Sequence, residues 1–150
     1  MNDMLKDPMI LRQIIMDHYQ YPRNHELKKT PDYLSRHMAS ESCIDDIHVE
    51  AKIKDNRIED IDFDGIACTI ATASTSIMSE LLKGKSLKEA KNIIKNYRDM
   101  IDGKDYDADL LEEAIAFYNV GQQANRIHCA TIGWDAIEEI IEESETNEQQ

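Results

Sequence analysis

Three cysteines are the residues of this chain most able to do chemistry, and they are widely separated at Cys43, Cys68 and Cys129. An odd number of thiols cannot pair completely, so a disulfide framework is not expected. Three thiolates and one further donor would complete a tetrahedral metal site, and Asp45 and His128 are the donors nearest in sequence. The simpler interpretation is three free cysteines that behave as small hydrophobic residues, because the separations contain no compact C-x-x-C pair.

The composition limits the class of protein and its partners. A chain of 150 residues with 41% hydrophobic content fits one domain with a modest core. Its 30 acidic and 17 basic residues give a net charge of -13, which repels nucleic acids and anionic membranes. We therefore expect neither as a partner, and instead a protein with a basic patch.

The sequence also favours a cytoplasmic location. No apolar run approaches the roughly 18 residues of a membrane span, and residues 1–8 lack the layout of a signal peptide. Thiols stay reduced in the cytoplasm, where cysteines more often serve metals or catalysis than disulfides.

The first half of the chain predicts one helix followed by strands. Asp7-Pro8 is typical of a helix N-cap with proline in the first turn, and Tyr21-Pro22 ends that helix. Residues 24–41 are polar and predict a loop with room for a short first strand. Apolar and polar residues alternate from Ile47 to Ile53, and a second strand over 58–63 completes a hairpin.

The second half predicts helices, because the hydrophobic period lengthens to that of a helix after Gly65. Ser86-Leu87-Lys88-Glu89 is a capping box. The predicted helices run from about 70 to Gly84, from the capping box to about Met100, from about 110 to near Gly121, and from 127 to 142, with residues 143–150 as a disordered tail. Strands followed by helices indicate an α+β fold. We expect one domain over residues 1–150, with a small antiparallel sheet of about three strands packed against four to six helices.

Four segments occur in an order that is typical of one protein family. They are Ile14–Asn24, Ser42–Asp45, Phe63–Ser74 and Arg126–Ala130. Together they resemble the I-x-D-H-Y-x-x-P-R-N opening and the three cysteine motifs of the NifU/IscU/SufU iron–sulfur cluster assembly proteins. The likeness covers about residues 10–142.

The spacing of the cysteines resembles the SufU-like branch of that family. Cys68 and Cys129 are 61 positions apart, which is similar to SufU rather than the shorter IscU. Gly121–Asn125 stands where IscU has its Leu-Pro-Pro-Val-Lys segment. The likeness implies a zinc site made of Cys43, Asp45, Cys68 and Cys129. It also implies persulfide transfer from a SufS-like cysteine desulfurase, with downstream cluster-assembly proteins as further partners.

Two positions depart from the family pattern. Ile44 follows the first cysteine where the family has glycine, and a β-branched residue does not adopt positive φ cheaply. Either the loop takes another path or the site is altered. His128 precedes the third cysteine, where SufU usually has lysine and IscU has histidine, and it offers a spare ligand.

The residues could hold zinc and accept sulfur. Zinc suits thiolate and carboxylate ligands, and the thiolate is the nucleophile in persulfide exchange. Cys43 is the predicted acceptor, because it lies on a loop before a strand, and the family likeness favours the same residue. Cys68 and Cys129 are predicted at helix starts, where the helix dipole stabilises a thiolate.

Each remaining candidate also has a structural interpretation. Asp45 is either the fourth ligand or a carboxylate that caps a turn, and Asp46 is the neighbour most easily mistaken for it. His128 is an accessory residue or a surface residue, and Arg126 lies either at a partner surface or at a solvated helix start. His18 fits the inward face of the first helix and is predicted to be a core residue.

Three functions therefore compete. The leading one is a zinc-dependent sulfurtransferase that takes persulfide sulfur from a cysteine desulfurase. The second is a scaffold that assembles a transient [2Fe–2S] cluster on the three cysteines, since thiolates bind iron as well. The third is a zinc-stabilised binding module without catalysis, a hypothesis that Ile44 keeps open.

Overall fold

The structure is a computed structural model, and it describes residues 7–39 and 44–148. Within those residues the chain forms one three-stranded sheet, five α-helices and two 3₁₀ helices. In chain order they are α1 (Pro8–Gln20), β1 (Leu34–Ala39), β2 (Asp46–Lys54), β3 (Arg57–Ile66), α2 (Thr69–Leu82), α3 (Leu87–Ile101), α4 (Ala108–Leu111), the 3₁₀ helices Glu112–Phe117 and Val120–Gln122, and α5 (Ala124–Glu148). The predicted α+β class is confirmed.

The sheet is antiparallel in the order β1-β2-β3. Asp55 and Asn56 both adopt positive φ, at 54° and 60°, which is the geometry of a tight hairpin turn between β2 and β3. Alternation along β2 sends Ile47, Val49 and Ala51 to a buried inner face. Helix α5 covers that face over β1 and β2, and α2 covers it over β3.

A buried polar junction ties the three long helices together. The Ser74 hydroxyl of α2 donates to the Ala130 carbonyl oxygen of α5 at 2.7 Å and accepts from the Trp134 indole N–H at 3.0 Å. Tyr97 of α3 stacks on Trp134, with ring centroids 3.9 Å apart, and its hydroxyl also donates to Ala130. Each buried polar group has a partner, so the junction specifies how α2, α3 and α5 meet.

Helix α1 is held to α2 by His18. The sequence predicted a core residue, and the His18 side chain is 1% exposed. Its Nδ1 shares a hydrogen bond with Ser76 Oγ at 2.8 Å, and its Nε2 lies 3.2 Å from Glu113 Oε1. The hydrogen bond from His18 is the main reason that the pKa of Glu113 lies below its ordinary value.

The outer face of the sheet carries a buried acidic layer under the segment before β1. Lys28 Nζ lies 2.8 Å from Asp60 Oδ2 and 2.7 Å from Asp62 Oδ2, and the Tyr33 hydroxyl donates to Asp60 at 2.6 Å. Burial, followed by the neighbouring Asp60 carboxyl, raises the pKa of Asp62 to about 6 despite the opposing effect of Lys28. The pKa of Asp60 lies well below its ordinary value because Lys28, Tyr33 and Lys83 bond to it.

The prediction of a helix from about 110 to 121 is wrong about the type of helix. The chain makes only one α-helical turn, α4, before Glu112 adopts a φ of 46° that an α-helix does not allow. The rest is 3₁₀ helix. Four of its buried residues, Leu111, Ala114, Phe117 and Val120, recur every three positions, which is the 3₁₀ period, and Ile115 and Ala116 are buried between them.

The last helix is longer than predicted at both ends. It begins at Ala124 rather than 127 and continues to Glu148. Residues 143–148 are therefore helical, and the expectation of a disordered tail from residue 143 needs this correction. Arg36 pairs with Glu143 and Lys91 with Glu145, each at 2.6 Å, which ties the end of α5 to β1 and α3.

Candidate metal centre

Asp45 enters the candidate site from the start of β2. It immediately precedes the strand and shares the inner face with Ile47, whereas Asp46 points to the exposed outer face. The Asp45 side chain is buried, with 1% of the residue exposed. Its Oδ1 accepts a hydrogen bond from the Cys68 backbone N–H at 2.8 Å, and its Oδ2 lies 3.8 Å from Cys68 Sγ.

Cys68 is the N-cap of α2. Its Sγ accepts from the Ala71 backbone N–H at 3.4 Å, so the thiol faces the positive end of the helix dipole, as predicted. Gly65 makes this approach possible, because its φ is +125° and a Cβ there would lie 2.0 Å from the Asp46 carbonyl oxygen. The glycine therefore lets β3 pass close to the start of β2 and brings Cys68 to Asp45.

Cys129 comes from the second turn of α5 rather than from the helix start that the sequence predicted. It is buried at 8% exposure. Four residues later, Gly133 packs directly on Thr75 of α2, where a Cβ would lie 2.4 Å from Thr75 Oγ1. This close contact between α2 and α5 sets how near Cys129 comes to Cys68.

The three side chains form one cluster. The carboxylate oxygen of Asp45 and the sulfurs of Cys68 and Cys129 all lie within 4.8 Å of one another. Burial, followed by the bonds to Asp45 and Cys68, raises the pKa of the Cys129 thiol well above its ordinary value. The neighbouring Asp45 and Cys68 groups therefore oppose ionisation of Cys129, and a divalent cation among the three side chains would reverse this effect.

The donor set fits zinc. Two thiols and one carboxylate are ligands that zinc accepts in a tetrahedral site, and a fourth position is left for another donor. The remaining predicted ligand, Cys43, lies outside the described residues. The ligand roles of Asp45, Cys68 and Cys129 stay predictions that their grouping supports.

The other candidates lie apart from this cluster. Ile44 is 66% exposed, so it is not a packed core residue. His128 and Arg126 are exposed on the first turns of α5, and the cluster does not include His128. The sequence did not predict the packing roles of Gly65 and Gly133. The available signals were a glycine three residues before Cys68 and a glycine inside the last helix.

Among residues 7–39 and 44–148, no helix is both long and apolar enough to cross a bilayer.

A small antiparallel sheet that brings one buried carboxylate to thiols from two helices defines a candidate thiolate–carboxylate metal-binding domain. The chain belongs to the NifU-like N-terminal domain family, whose model matches residues 10–150. The resemblance inferred from the motifs is thereby confirmed.

Its relatives include proteins described in two ways. The chain is 36% identical over 137 residues to the zinc-dependent sulfurtransferase SufU of Bacillus subtilis, covering 91% of this chain and 92% of that protein. It is 33% identical over 132 residues to the iron–sulfur cluster assembly scaffold protein IscU of Streptococcus pyogenes, covering 87% and 82%. The two identities are similar, so they define an iron–sulfur cluster assembly family rather than one branch.

A solved structure has the same fold. The crystal structure of an iron–sulfur cluster assembly scaffold protein for the SUF system from Fervidobacterium islandicum superposes with a TM-score of 0.79 at 29% identity. The superposition covers 90% of this chain and 98% of that one.

Proposed function

We propose that this protein accepts sulfur from a cysteine desulfurase by means of a zinc-held thiolate site. The observation that carries the proposal is the grouping of buried Asp45 and Cys129 with half-buried Cys68, whose ligand atoms lie within 4.8 Å of one another. The similarity to a zinc-dependent sulfurtransferase over most of the chain supports it.

Zinc bound here would keep thiols deprotonated near neutral pH without oxidising them. The described residues have separate tasks. The Cys68 N–H orients the Asp45 carboxylate, and the Ala71 N–H at the start of α2 holds the Cys68 sulfur. Asp45 and Cys129 are buried, whereas Cys68 is half-buried and gives the site access to a partner.

Cys43 is the proposed sulfur acceptor. It precedes Asp45 by two residues, so covalent geometry limits the separation of their Cα atoms to about 7 Å. The Cys43 thiolate would attack the outer sulfur of a desulfurase persulfide. A new bond forms between Cys43 Sγ and that sulfur, the persulfide S–S bond breaks, and the desulfurase cysteine leaves as a thiolate.

The charge of the chain suits a basic partner. A net charge of -13 would steer a desulfurase surface that carries a basic patch. Arg126 is exposed at the start of α5, three residues before Cys129, and is the proposed partner-binding residue beside the site. His128 is proposed as an accessory residue because it is exposed on the same turn.

Metal content and persulfide mapping test the proposal together. The protein purified without oxygen should contain one tightly held zinc and no colour. Cys68→Ser and Cys129→Ser should lower both zinc content and melting temperature, because metal binding energy is also folding energy. If both variants keep full zinc and full stability, the proposed ligand set is wrong.

The transfer step needs a separate measurement. Cys43→Ser should fail to accelerate a SufS-like desulfurase, and wild-type protein should carry a trapped persulfide on Cys43. A persulfide mapped to Cys129 would contradict the proposed acceptor. Wild-type protein that holds zinc but leaves desulfurase turnover unchanged would favour a zinc-stabilised binding module.

The second candidate function is a scaffold for a [2Fe–2S] cluster. Its support is the 33% identity to a protein described as such a scaffold, together with thiolates that suit iron. Anaerobic purification separates the two functions, because an iron–sulfur cluster is coloured and the zinc protein is not.

A further inference from the structure

A second group of metal-binding side chains lies on the outer face of the sheet. His37 of β1 pairs directly with His48 of β2, and Asp46 lies two residues before His48 on the same face. One ligand atom from each of the three side chains lies within 4.8 Å of the others. The group is separate from the thiolate cluster, because Asp45 and Asp46 point to opposite faces of the sheet.

The two imidazole rings approach one carboxylate oxygen side by side. The rings stack with centroids 4.1 Å apart and an interplanar angle of 3°. Asp46 Oδ1 lies 2.6 Å from His37 Nε2 and 3.8 Å from His48 Nε2. A hydrogen bond to His37 alone would explain the position of only one ring, whereas both Nε2 atoms face the same oxygen.

These distances lie on either side of those that a bound metal needs. Zinc–nitrogen bonds near 2.0–2.1 Å in a tetrahedron separate neighbouring ligand atoms by about 3.3 Å. The distance of 2.6 Å must lengthen by about 0.7 Å and the distance of 3.8 Å must shorten by about 0.5 Å, and rotations of these exposed side chains allow such shifts. The side chains are 53%, 47% and 53% exposed for His37, His48 and Asp46, which leaves room for water as a further ligand.

We propose that His37, Asp46 and His48 bind a divalent transition metal ion of the zinc, cobalt or nickel class. Two imidazoles and one carboxylate suit such ions. Asp64 lies opposite His48 on β3 and adds negative charge on the same face. Because this group has no thiolate and is open to solvent, its metal exchanges faster than a metal held by Cys68 and Cys129. This proposal does not depend on the function of the thiolate site.

Cobalt provides the test, because its spectrum reports the ligand type. Untagged wild-type protein is preloaded with zinc and treated with a weak chelator, which removes zinc that is not tightly held. It is then titrated with Co²⁺ under anaerobic conditions and followed by absorption and calorimetry. We expect one equivalent of Co²⁺ with a d–d spectrum but without sulfur-to-cobalt charge-transfer absorption. A weak chelator should remove this equivalent and leave the tightly held metal in place.

Substitutions assign the site. His37→Gln and His48→Gln should each fail to bind the equivalent of Co²⁺ that shows no sulfur-to-cobalt absorption. Their circular dichroism and their tightly held metal should stay unchanged. His25→Gln is the matched control, because it removes an exposed histidine that belongs to neither metal-binding group, and it should bind as wild type does. The proposal is overturned if wild-type protein binds no Co²⁺ without sulfur-to-cobalt absorption, or if both His37→Gln and His48→Gln still bind it.

Discussion

The contact between Gly133 and Thr75 gives the sharpest prediction for the packing that supports the thiolate site. An alanine Cβ at position 133 would lie 2.4 Å from Thr75 Oγ1, 2.9 Å from its Cγ2 and 3.0 Å from its Cβ. Thr75 is fully buried and its hydroxyl donates to the Ala71 carbonyl oxygen at 2.8 Å, so it has little freedom to move. Gly133→Ala must therefore push α5 away from α2.

Two opposing effects set the change in the free energy of unfolding that Gly133→Ala causes. Overpacking a buried helix contact costs about 1–3 kcal/mol, and the three atoms within 3.0 Å of the new Cβ place this contact in the upper part of that range, at about 2–3 kcal/mol. Replacing glycine by alanine within a helix stabilises the helix by about 1 kcal/mol, because alanine has the higher helix propensity. We expect a net loss of about 1–2 kcal/mol, which is a fall in melting temperature of roughly 2–8 °C for a chain of this size.

A double-mutant cycle with Thr75→Ala isolates the contact. Thr75→Ala alone should destabilise the protein, because it leaves a small cavity. In the double variant the new methyl group fills that cavity, so the two losses should fall short of additivity by about 1 kcal/mol or more. The assay is urea unfolding of the four proteins, with tightly held zinc measured in parallel. Zinc retention should fall in Gly133→Ala and recover in the double variant.

Either of two results would contradict this role of the Gly133–Thr75 contact. Gly133→Ala could raise the free energy of unfolding, as helix propensity alone would require. Alternatively, the two substitutions could prove additive, which would mean that the residues do not limit the approach of α2 to α5.

Four further predictions follow from single sites. Asp45→Ala should lower the zinc that survives a weak chelator, while Asp46→Ala should leave that zinc in place, because only Asp45 faces the thiols. His18→Ala should lower the free energy of unfolding by about 2–4 kcal/mol, since it removes a buried ring and two hydrogen bonds, whereas exposed His128→Ala should change it by less than about 0.5 kcal/mol. Ile44→Gly should cost no more than about 1 kcal/mol in urea unfolding, because the side chain is 66% exposed, and a loss well beyond that would show that Ile44 packs against the site. Asp62 has a folded pKa of about 6, above its unfolded value, so it contributes stability at low pH that is lost as the pH rises through 6. Between pH 5 and pH 7, the free energy of unfolding should therefore fall by about 1 kcal/mol more for wild-type protein than for Asp62→Asn.

Controls make the pH prediction specific. Exposed Asp105→Asn should keep the wild-type difference between the two pH values. Asp60 acts in the opposite direction, because its folded pKa is lowered and its contribution is lost only at pH values below the ordinary aspartate range. An Asp62→Asn profile that matches wild type would contradict the assigned cause.

The sequence by itself determined the elements whose signals are local. The Asp7 N-cap, the Ser86–Glu89 capping box and the β2–β3 hairpin all appear as predicted, and the hairpin turns at Asp55 and Asn56. In each case the residues that make the bond or adopt the turn are within four positions of one another, so their chemistry can be read from the chain. The ordered cysteine motifs were likewise sufficient to recognise the family.

Tertiary structure decided which of those residues meet. Cys68 and Cys129 are 61 positions apart, and they approach because Gly65 and Gly133 let backbones pack closely. In the sequence, Asp46 is the neighbour most easily mistaken for the predicted ligand Asp45. The pleat of β2 separates them, because it places Asp45 beside the thiols and Asp46 beside His37 and His48. The 3₁₀ segment and the end of α5 also depend on long-range contacts, from His18 to Glu113 and from Arg36 to Glu143. Local patterns carry no information about such partners, because burial and charge pairing depend on residues that only the folded chain brings together.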